Sequence, residues 1–335
     1  MVVAITVGFI ISAPVYSGPV SDHFNGKTFI NPENIKPRGL PDVLRWGFNR
    51  ERGPWKKNYS ITPGPKPERE IQNGIRVTYI NHTTFLLQTL GLNVLTDPVY
   101  SFRVSPFTFA GPKRMRPPGI SFEDLPKIDL VLLSHNHYDH LDIDTVKKIK
   151  DRFDPTFVVP LGVSAFLKQH NITKIIELDW WQQATFESLT ITGTPAQHFS
   201  GRGFFDRDKT LWCGYSITSS AGSIYFAGDT GYNEKSFKEI GTRLGPVDVA
   251  LIPIGAYKPA WFMWPVHCSP EGAVKIHLDI KAKKSIGSHF GTFPLGDEGQ
   301  QDPLDDLAIA KREHHVPAEN FITLKEGEST DFNQR

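Results

Sequence analysis

The strongest chemical signal in the sequence is one short segment, Ser134-His135-Asn136-His137-Tyr138-Asp139-His140. Three imidazoles and one carboxylate lie within six positions, directly after the apolar run Leu130-Val131-Leu132-Leu133. Because a strand end holds side chains rigidly at the mouth of a sheet, this spacing can aim some imidazoles at one point while Asp139 and His140 reach a second. Imidazole and carboxylate together suit zinc better than magnesium or calcium, which prefer oxygen ligands. The segment therefore predicts a metal site, with zinc as the preferred ion.

Three more donors stand at apparent strand ends farther along the chain: His198, Asp229 and His289. Singly, each has a structural explanation, as a loop residue, a turn former beside Gly228, and a polar residue before a glycine turn. The first segment alone could likewise form a closed structural site. Together the donors suffice for two ions that share a bridging carboxylate and leave positions open for water. The predicted ligands are His135, His137, Asp139, His140, His198, Asp229 and His289.

The elements that must position these residues are short strands. Ile75–Ile80 alternates as a half-buried strand does, and the apolar run at 130–133 indicates a strand buried on both faces. Further strands are predicted at Thr84–Thr89, Leu92–Thr96, Phe157–Val159, Ile175–Leu178, Leu189–Thr194, Leu211–Thr218, Ser223–Ala227 and Val249–Ile254.

Helices are predicted between these strands. Asp142 or Asp144 can cap a helix that carries Val146 and Ile149 on one face. A second helix is expected to begin with Ser269 as its N-cap and a proline in its first turn. The chain thus has two halves of similar character, each with strands first and helices after. This order predicts an α+β fold in which two mixed sheets pack face to face, with helices outside.

Three segments of the chain differ in amino-acid composition. Residues 1–20 carry no charged side chain and resemble a signal-peptide core or an anchor, although a basic start is missing and the apolar run is short for a membrane span. Residues 21–70 are rich in proline and glycine, which predicts an arm that wraps over a folded body. Residues 71–330 are predicted to form the domain that carries the metal site. We expect membrane association with export to a periplasm or cell envelope, the alternative being a cytoplasmic peripheral protein.

Composition narrows the partners. The balance of 37 Lys+Arg against 36 Asp+Glu leaves a formal net charge of +1, so the simplest electrostatic signature of nucleic-acid binding is missing. We therefore expect no nucleic-acid partner. Cys213 and Cys268 lie in no C-x-x-C pair and are expected to be packing residues. A single disulfide between them is the alternative if the chain is exported.

The sequence resembles the N-acylphosphatidylethanolamine-hydrolysing phospholipase D family of the metallo-β-lactamase superfamily over roughly residues 30 to 330. The ligand segment at 134–140 matches the superfamily, and narrower segments match the family. One departure is Asn81-His82-Thr83-Thr84, where the family has glycine before the histidine; asparagine tolerates left-handed backbone better than most residues. The narrower segments are Leu95-Thr96-Asp97-Pro98, Gly111-Pro112-Lys113-Arg114, Glu177-Leu178-Asp179-Trp180-Trp181, Ala227-Gly228-Asp229-Thr230-Gly231-Tyr232, Ile252-Pro253-Ile254-Gly255-Ala256-Tyr257 and His289-Phe290-Gly291-Thr292-Phe293.

The resemblance implies an αββα sandwich that holds two Zn²⁺ ions, one on His135, His137 and His198 and the other on Asp139, His140 and His289. Asp229 would lie between them. It also implies hydrolysis of N-acylphosphatidylethanolamine to an N-acylethanolamine and phosphatidic acid, at a membrane surface. A homodimer is an expected assembly. The implied catalytic residues are Asp139, Asp229 and His267, and the implied substrate contacts are Tyr138, Tyr257, Trp261 and His267.

Two other functions stay open on the sequence alone. A metallo-hydrolase of the same fold can act on another phosphodiester, a lactone or a nucleic acid, because a fold reports ancestry more firmly than substrate. A non-catalytic envelope protein that keeps the fold is the second, and the complete ligand set argues against it. His82 and His277 are expected to be structural.

Overall fold

The computed structural model describes residues 16–56, 59–203 and 205–332. The expectation for the apolar N-terminus therefore falls largely outside the described residues. The first sheet has seven strands. The strand that comes last in the chain lies at one edge of this sheet and pairs with the strand that comes first. Their spatial order is β14 (Ser329–Phe332), β1 (Ile75–Asn81), β2 (Thr84–Thr89), β3 (Leu92–Thr96), β4 (Leu130–Leu132), β5 (Thr156–Pro160) and β6 (Ile175–Leu178).

The second sheet also has seven strands. Antiparallel pairs join its first strands in the chain, and parallel pairs join the later ones. The order is β13 (Phe321–Ile322), β12 (Ala282–Ser288), β11 (Val247–Pro253), β10 (Gly222–Phe226), β9 (Gly214–Ser219), β8 (Leu189–Thr194) and β7 (Gln183–Phe186). Both sheets are mixed, as predicted.

The α-helices of the described residues mostly follow strands in the chain. One of them, α2 (Ile143–Phe153), begins at the predicted cap, because the Asp142 side chain accepts a hydrogen bond from Thr145 N. Ser269 caps α6 (Pro270–Asp279) in the same way, by accepting from Gly272 N. The helices are α1 (Leu40–Phe48), α2 (Ile143–Phe153), α3 (Val163–Lys168), α4 (Glu234–Arg243), α5 (Ala260–Met263), α6 (Pro270–Asp279) and α7 (Asp302–Glu313).

The two sheets pack face to face. Leu130 and Leu132 of β4 join a core cluster that includes residues of both sheets, whereas Val131 and Leu133 join a second cluster with residues of α2 and α3. The strand is thus buried on both faces, as its continuous apolar sequence predicts. Tyr215 of β9 ties the layers together, because its hydroxyl donates to Leu133 O at 2.9 Å. The prediction of an α+β fold, an αββα sandwich, is confirmed.

Some elements depart from the prediction. Strand β9 begins at Gly214 and not at Leu211, since Trp212 turns away to donate to Ala196 O. Strands β7, β12, β13 and β14 and helices α1, α3, α4, α5 and α7 were not predicted. Strand β12 opens with Ala-Lys-Lys-Ser, which lacks apolar alternation, and β7 alternates between exposed and half-buried positions only. Both cysteines are buried and free, as expected for packing residues.

Strand direction brings the predicted ligands to one place. In the first sheet β1, β3 and β4 run in the same direction, because two antiparallel pairings separate β1 from β3 and a parallel pairing joins β3 to β4. In the second sheet β8, β10 and β12 also share one direction. The loops after the carboxyl ends of strands β4, β8, β10 and β12 carry every predicted ligand.

The proline- and glycine-rich arm packs on this body. Phe24 and Phe29 are buried in a small cluster with Leu211 and Trp212, so the arm adds to the core next to the second sheet. The division into segments at 20 and 70 stays a prediction. Among the residues that the structure describes, no helix is long and apolar enough to cross a membrane.

Candidate metal centre

One group of potential ligands contains His135, His137 and His198. The three side chains offer nitrogen atoms that lie within 4.8 Å of one another. His135 Nε2 is 2.8 Å from His137 Nδ1, and His198 Nε2 is 3.2 Å from the same atom. The loops after β4 and β8 therefore converge on one point with three imidazoles, which are ligands that zinc prefers.

A second group lies beside the first and contains Asp139, His140 and His289. The Nε2 atoms of both histidines are 3.3 Å from Asp139 Oδ2. This group mixes imidazole with a carboxylate, again a set that suits zinc. The geometry thus places the side chains of the motif at 134–140 in two neighbouring groups, and that each group holds an ion stays a prediction.

Asp229 lies between the two groups. Its Oδ2 atom is 3.1 Å from His140 Nε2 and from His289 Nε2, and 3.8 Å from His198 Nε2. The other carboxylate oxygen, Oδ1, is buried and has no hydrogen-bond partner among the described residues. A buried carboxylate oxygen without a partner is costly, so this arrangement calls for a cation.

The charges of the centre also call for a cation. Burial opposes ionisation of Asp229, but His140 and His289 outweigh it and hold the pKa of Asp229 well below its ordinary value. Burial likewise opposes protonation of His140, yet Asp229 and Asp139 raise the pKa of His140 well above its ordinary value. Burial lowers the pKa of His135, which is therefore neutral. Ionised carboxylates and neutral imidazoles are the forms that bind metal, and metal can replace the proton on His140.

A buried carboxylate outside the predicted set orients the second group. Asp97 follows β3 and accepts hydrogen bonds from Ser134 N at 2.7 Å and Ser134 Oγ at 2.6 Å. Its Oδ2 also lies 2.6 Å from His140 Nδ1, which leaves Nε2 of that ring to face Asp229. A carboxylate behind a histidine fixes the tautomer and direction of a metal ligand. The sequence contained the signal, an acidic residue at the end of a strand parallel to β4.

His82 was predicted to be structural, but the structure places it within the centre. Its Nε2 atom lies 3.1 Å from Asp139 Oδ2, and its carbonyl accepts from His289 N at 2.9 Å. The residue follows β1, which runs parallel to β4, so its position belongs to the same sheet edge. The left-handed residue of this turn is His82 itself, at φ 50°, and not Asn81 as the sequence suggested. Asn81 is the last residue of β1, and that expectation is wrong.

Comparisons with known proteins identify the family. A model described as the beta-lactamase superfamily domain matches residues 92–290. The N-acyl-phosphatidylethanolamine-hydrolyzing phospholipase D 1 of Caenorhabditis elegans is 39% identical over 360 residues, an alignment that covers 97% of this chain and 100% of the relative. The chain belongs to the N-acyl-phosphatidylethanolamine-hydrolysing phospholipase D family. It is a metal-dependent hydrolase of the metallo-β-lactamase superfamily.

Other relatives agree with this membership. The mitochondrial N-acyl-phosphatidylethanolamine-hydrolyzing phospholipase D of Saccharomyces cerevisiae is 37% identical, with 65% of this chain and 48% of that protein aligned. Among solved structures, isothiocyanate hydrolase from Delia radicum gut bacteria superposes with a TM-score of 0.63 at 22% identity, covering 77% of this chain and 100% of that one. The second likeness shows the fold alone.

His267, an implied catalytic residue that is not among the predicted ligands, lies beside this centre. Its Nδ1 atom is 3.8 Å from Asp229 Oδ2, buried, and without a hydrogen-bond partner among the described residues. Burial lowers the pKa of His267 to about 4, more than the nearby Asp229 raises it. The ring is therefore neutral at pH 7, a form that donates a hydrogen bond and carries no extra proton.

The predicted substrate contacts differ in their placement. Tyr138 lines a cavity of about 800 Å³ beside the centre, and its hydroxyl donates to Arg202 O. Trp261 of α5 is partly exposed, and the last residue of that helix, Met263, accepts from the main-chain N–H of His267. Tyr257 is buried, and its hydroxyl donates to Asp306 of α7. The arrangement thus leaves a substrate role for Tyr138 and Trp261 as a prediction, and it gives no support to one for Tyr257.

Proposed function

We propose that this protein binds two Zn²⁺ ions and hydrolyses N-acylphosphatidylethanolamine to an N-acylethanolamine and phosphatidic acid. The observation that carries the proposal is Asp229, whose Oδ2 faces His140, His289 and His198 from between the two ligand groups. The substrate class follows from the relatives named for this activity. Water adds to phosphorus, the bond from phosphorus to the N-acylethanolamine oxygen breaks, and that oxygen gains a proton.

The two groups fit the ions in their donor chemistry. His135, His137 and His198 would hold one zinc, and Asp139, His140 and His289 the other, with Asp229 shared. Bound zinc would supply an activated water and would stabilise negative charge on the phosphoryl oxygens. His82 lies beside Asp139 and orients that carboxylate.

The protein's own groups would do the rest of the work. His267 is neutral and within reach of the space in front of Asp229, so it can donate a hydrogen bond to a phosphoryl oxygen. Asp97 and the carbonyl of Val266 each bind the Nδ1 side of one ligand histidine, His140 and His198 respectively, at 2.6 and 2.7 Å. These hydrogen bonds keep the ligands in one orientation before substrate arrives, so reorganisation during the reaction is small.

The substrate assignment is tested by product analysis. The purified protein is incubated with a phospholipid extract, and products are identified by mass spectrometry. We expect N-acylethanolamine and phosphatidic acid to rise together and in equal amounts. A parallel panel of soluble phosphodiesters and lactones serves as the control. If a soluble diester turns over while N-acylphosphatidylethanolamine stays intact, the proposed substrate is wrong although the fold and metal centre can still hold.

The arm carries a surface that suits a membrane partner. Helix α1 presents Leu40, Val43, Leu44 and Phe48 at the spacing of one helical face, and this face is exposed, with Phe48 at 87% and Leu44 at 52%. The half-exposed Trp264 follows α5 nearby. We call these four α1 residues, with Trp261 and Trp264, the docking face.

The docking face is linked to His267, beside the metal centre, through contacts of helix α5. The Trp46 ring of α1 stacks on Phe262 of α5 at 4.8 Å, and Arg45 lies 4.8 Å above the Trp261 ring. Helix α5 in turn accepts the His267 N–H through Met263 O at 2.9 Å. A row of apolar side chains with tryptophan and exposed arginine is the composition of a helix that lies in a lipid interface. We propose that this face seats the enzyme on a phospholipid surface; the homodimer stays a prediction.

Replacing Leu44 and Phe48 by glutamate is expected to weaken binding to phospholipid vesicles at least about ten-fold, because each large apolar side chain contributes about 1.5–3 kcal/mol on burial. Vesicle co-sedimentation at fixed salt measures the change. Turnover of a soluble short-chain substrate should stay at the wild-type rate.

Matched controls are available on other helices. Leu278 and Ile309 are similarly exposed, at 47% and 43%, and lie on α6 and α7. The double variant Leu278→Glu/Ile309→Glu should bind vesicles like the wild type. Equal vesicle binding by both double variants would refute the docking face, as would a change of oligomeric state in the α1 variant without a change in vesicle binding.

A further inference from the structure

The main chain of the ligand His198 is bound by one side chain from outside the hydrolase domain. Asn31 belongs to the arm and stands 167 positions earlier in the chain. Its Oδ1 accepts from His198 N at 2.8 Å, and its Nδ2 donates to His198 O at 2.7 Å. The amide therefore pairs with both main-chain polar groups of the ligand residue, as an adjacent strand does.

The remaining hydrogen-bonding capacity of Asn31 is used as well. Nδ2 also donates to Ile35 O at 3.1 Å, and Oδ1 also accepts from Trp212 Nε1 at 3.1 Å. The side chain is only 4% exposed, and all four of its positions have partners. An aspartate here would lose both donors and press a carboxylate oxygen against the His198 carbonyl. The site thus requires an amide of this length.

The hydrogen bonds from Asn31 act on the direction of the His198 ring. Val266 O binds Nδ1 of the ring at 2.7 Å, which turns Nε2 toward His137 Nδ1 at 3.2 Å. With the ring held at one nitrogen and the main chain held at both polar groups, Nε2 has one direction left. Such outer contacts orient a metal ligand, and the loss of one typically lowers metal affinity about ten- to a hundred-fold.

We propose that Asn31 is a positioning residue for the metal ligand His198, so that the arm completes the first ligand group of the hydrolase domain. The inference rests on the proposed two-zinc centre and is independent of the lipid substrate. Because Asn31 contacts only one of the two groups, its loss should weaken the zinc site of His135, His137 and His198 and leave the other site intact.

The test uses the full-length protein and reads zinc directly. Zinc affinity and stoichiometry are measured by competition with a chelator for the wild type, Asn31→Ala and the milder Asn31→Ser. We expect one of the two ions to bind about ten- to a hundred-fold more weakly in both variants, the usual effect of losing an outer contact. The second ion should bind as in the wild type. Chemical unfolding of each metal-free protein measures stability separately.

Asn93 provides a matched control, because it is also a buried asparagine that bonds to the arm. It is 2% exposed, and its Nδ2 donates to Arg69 O at 2.7 Å and Lys127 O at 2.8 Å. It lies in β3, at the end remote from Asp97. Asn93→Ala and Asn93→Ser should lose comparable stability while binding both zinc ions with wild-type affinity.

The outcomes separate the inference from the proposed function. Wild-type zinc affinity in the Asn31 variants overturns the inference, and so does a loss of affinity in the Asn93 variants equal to that in the Asn31 variants, since the arm would then act through general stability. A wild-type chain that binds no zinc overturns the two-zinc centre itself. Weaker binding of one ion in the Asn31 variants alone supports the positioning role.

Discussion

Asp229→Asn is expected to abolish hydrolysis, with N-acylethanolamine and phosphatidic acid lost together and the rate reduced at least about a thousand-fold. Asp229 Oδ2 lies 3.1 Å from the Nε2 atoms of His140 and His289 in the second group and 3.8 Å from His198 Nε2 in the first, so it is the charge that both ligand groups share. The amide keeps the shape of the side chain but removes this charge. Zinc content should fall along with activity, and mass spectrometry of both products plus elemental analysis measures the two effects.

The matched control is Asp248→Asn. Asp248 is a carboxylate of the same sheet, near the start of β11, where it accepts from Ser223 N at 2.8 Å and pairs with Lys283 at 2.7 Å. The same substitution there should leave the zinc content and rate at wild-type values. Full activity in Asp229→Asn would remove the two-metal mechanism, whatever the substrate.

The ligand set could be predicted because its residues obey a local rule. His198 and Asp229 each follow a predicted strand, as His135 does, and strands of a sheet that share one direction deliver such residues to one edge. His289 stands before a glycine turn, and the strand that precedes it, β12, was not predicted. Strand β4 could be predicted as well, because a short continuous apolar run is typical of a strand that is buried on both faces. The face-to-face packing of two sheets was predicted because each half of the chain has strands first and helices after.

Residues whose partners are remote in sequence could not be found this way. His82 lies 57 positions from Asp139, and Asn31 lies 167 positions from His198, so neither has a local pattern that marks its role. Tertiary structure brings each pair together. His82 follows β1, which ends at the same sheet edge as β4, and Asn31 of the arm binds His198 in the loop after β8. Helix α1 escaped prediction for another reason, because its apolar face is exposed and its surroundings are rich in proline.

His267→Ala is expected to lower the rate about a hundred-fold or more while zinc content stays unchanged. The Nδ1 atom of His267 lies 3.8 Å from Asp229 Oδ2, and its ring lies 5.0 Å from the His198 ring. His267 is none of the seven predicted ligands, although its donor atom also lies within 4.8 Å of those of His198 and Asp229. His277→Ala is the matched control. That histidine is also buried, with a pKa lowered to about 4, but its Nδ1 bonds Ser285 away from the centre. It should keep the wild-type rate.

The mode of action of His267 is decided by two readouts. Since burial lowers its pKa to about 4, the ring is neutral above that value and donates a hydrogen bond. His267→Asn and His267→Gln should then recover part of the rate, because their amides can place an N–H near the position of Nδ1 or Nε2 of the replaced ring. The rate profile between about pH 5 and pH 8 should keep its shape in His267→Ala. If both amide variants stay as slow as alanine and one limb of the profile disappears, His267 acts by proton transfer. The hydrogen bond would then be the wrong assignment, while the zinc content of the variants would still report an intact centre.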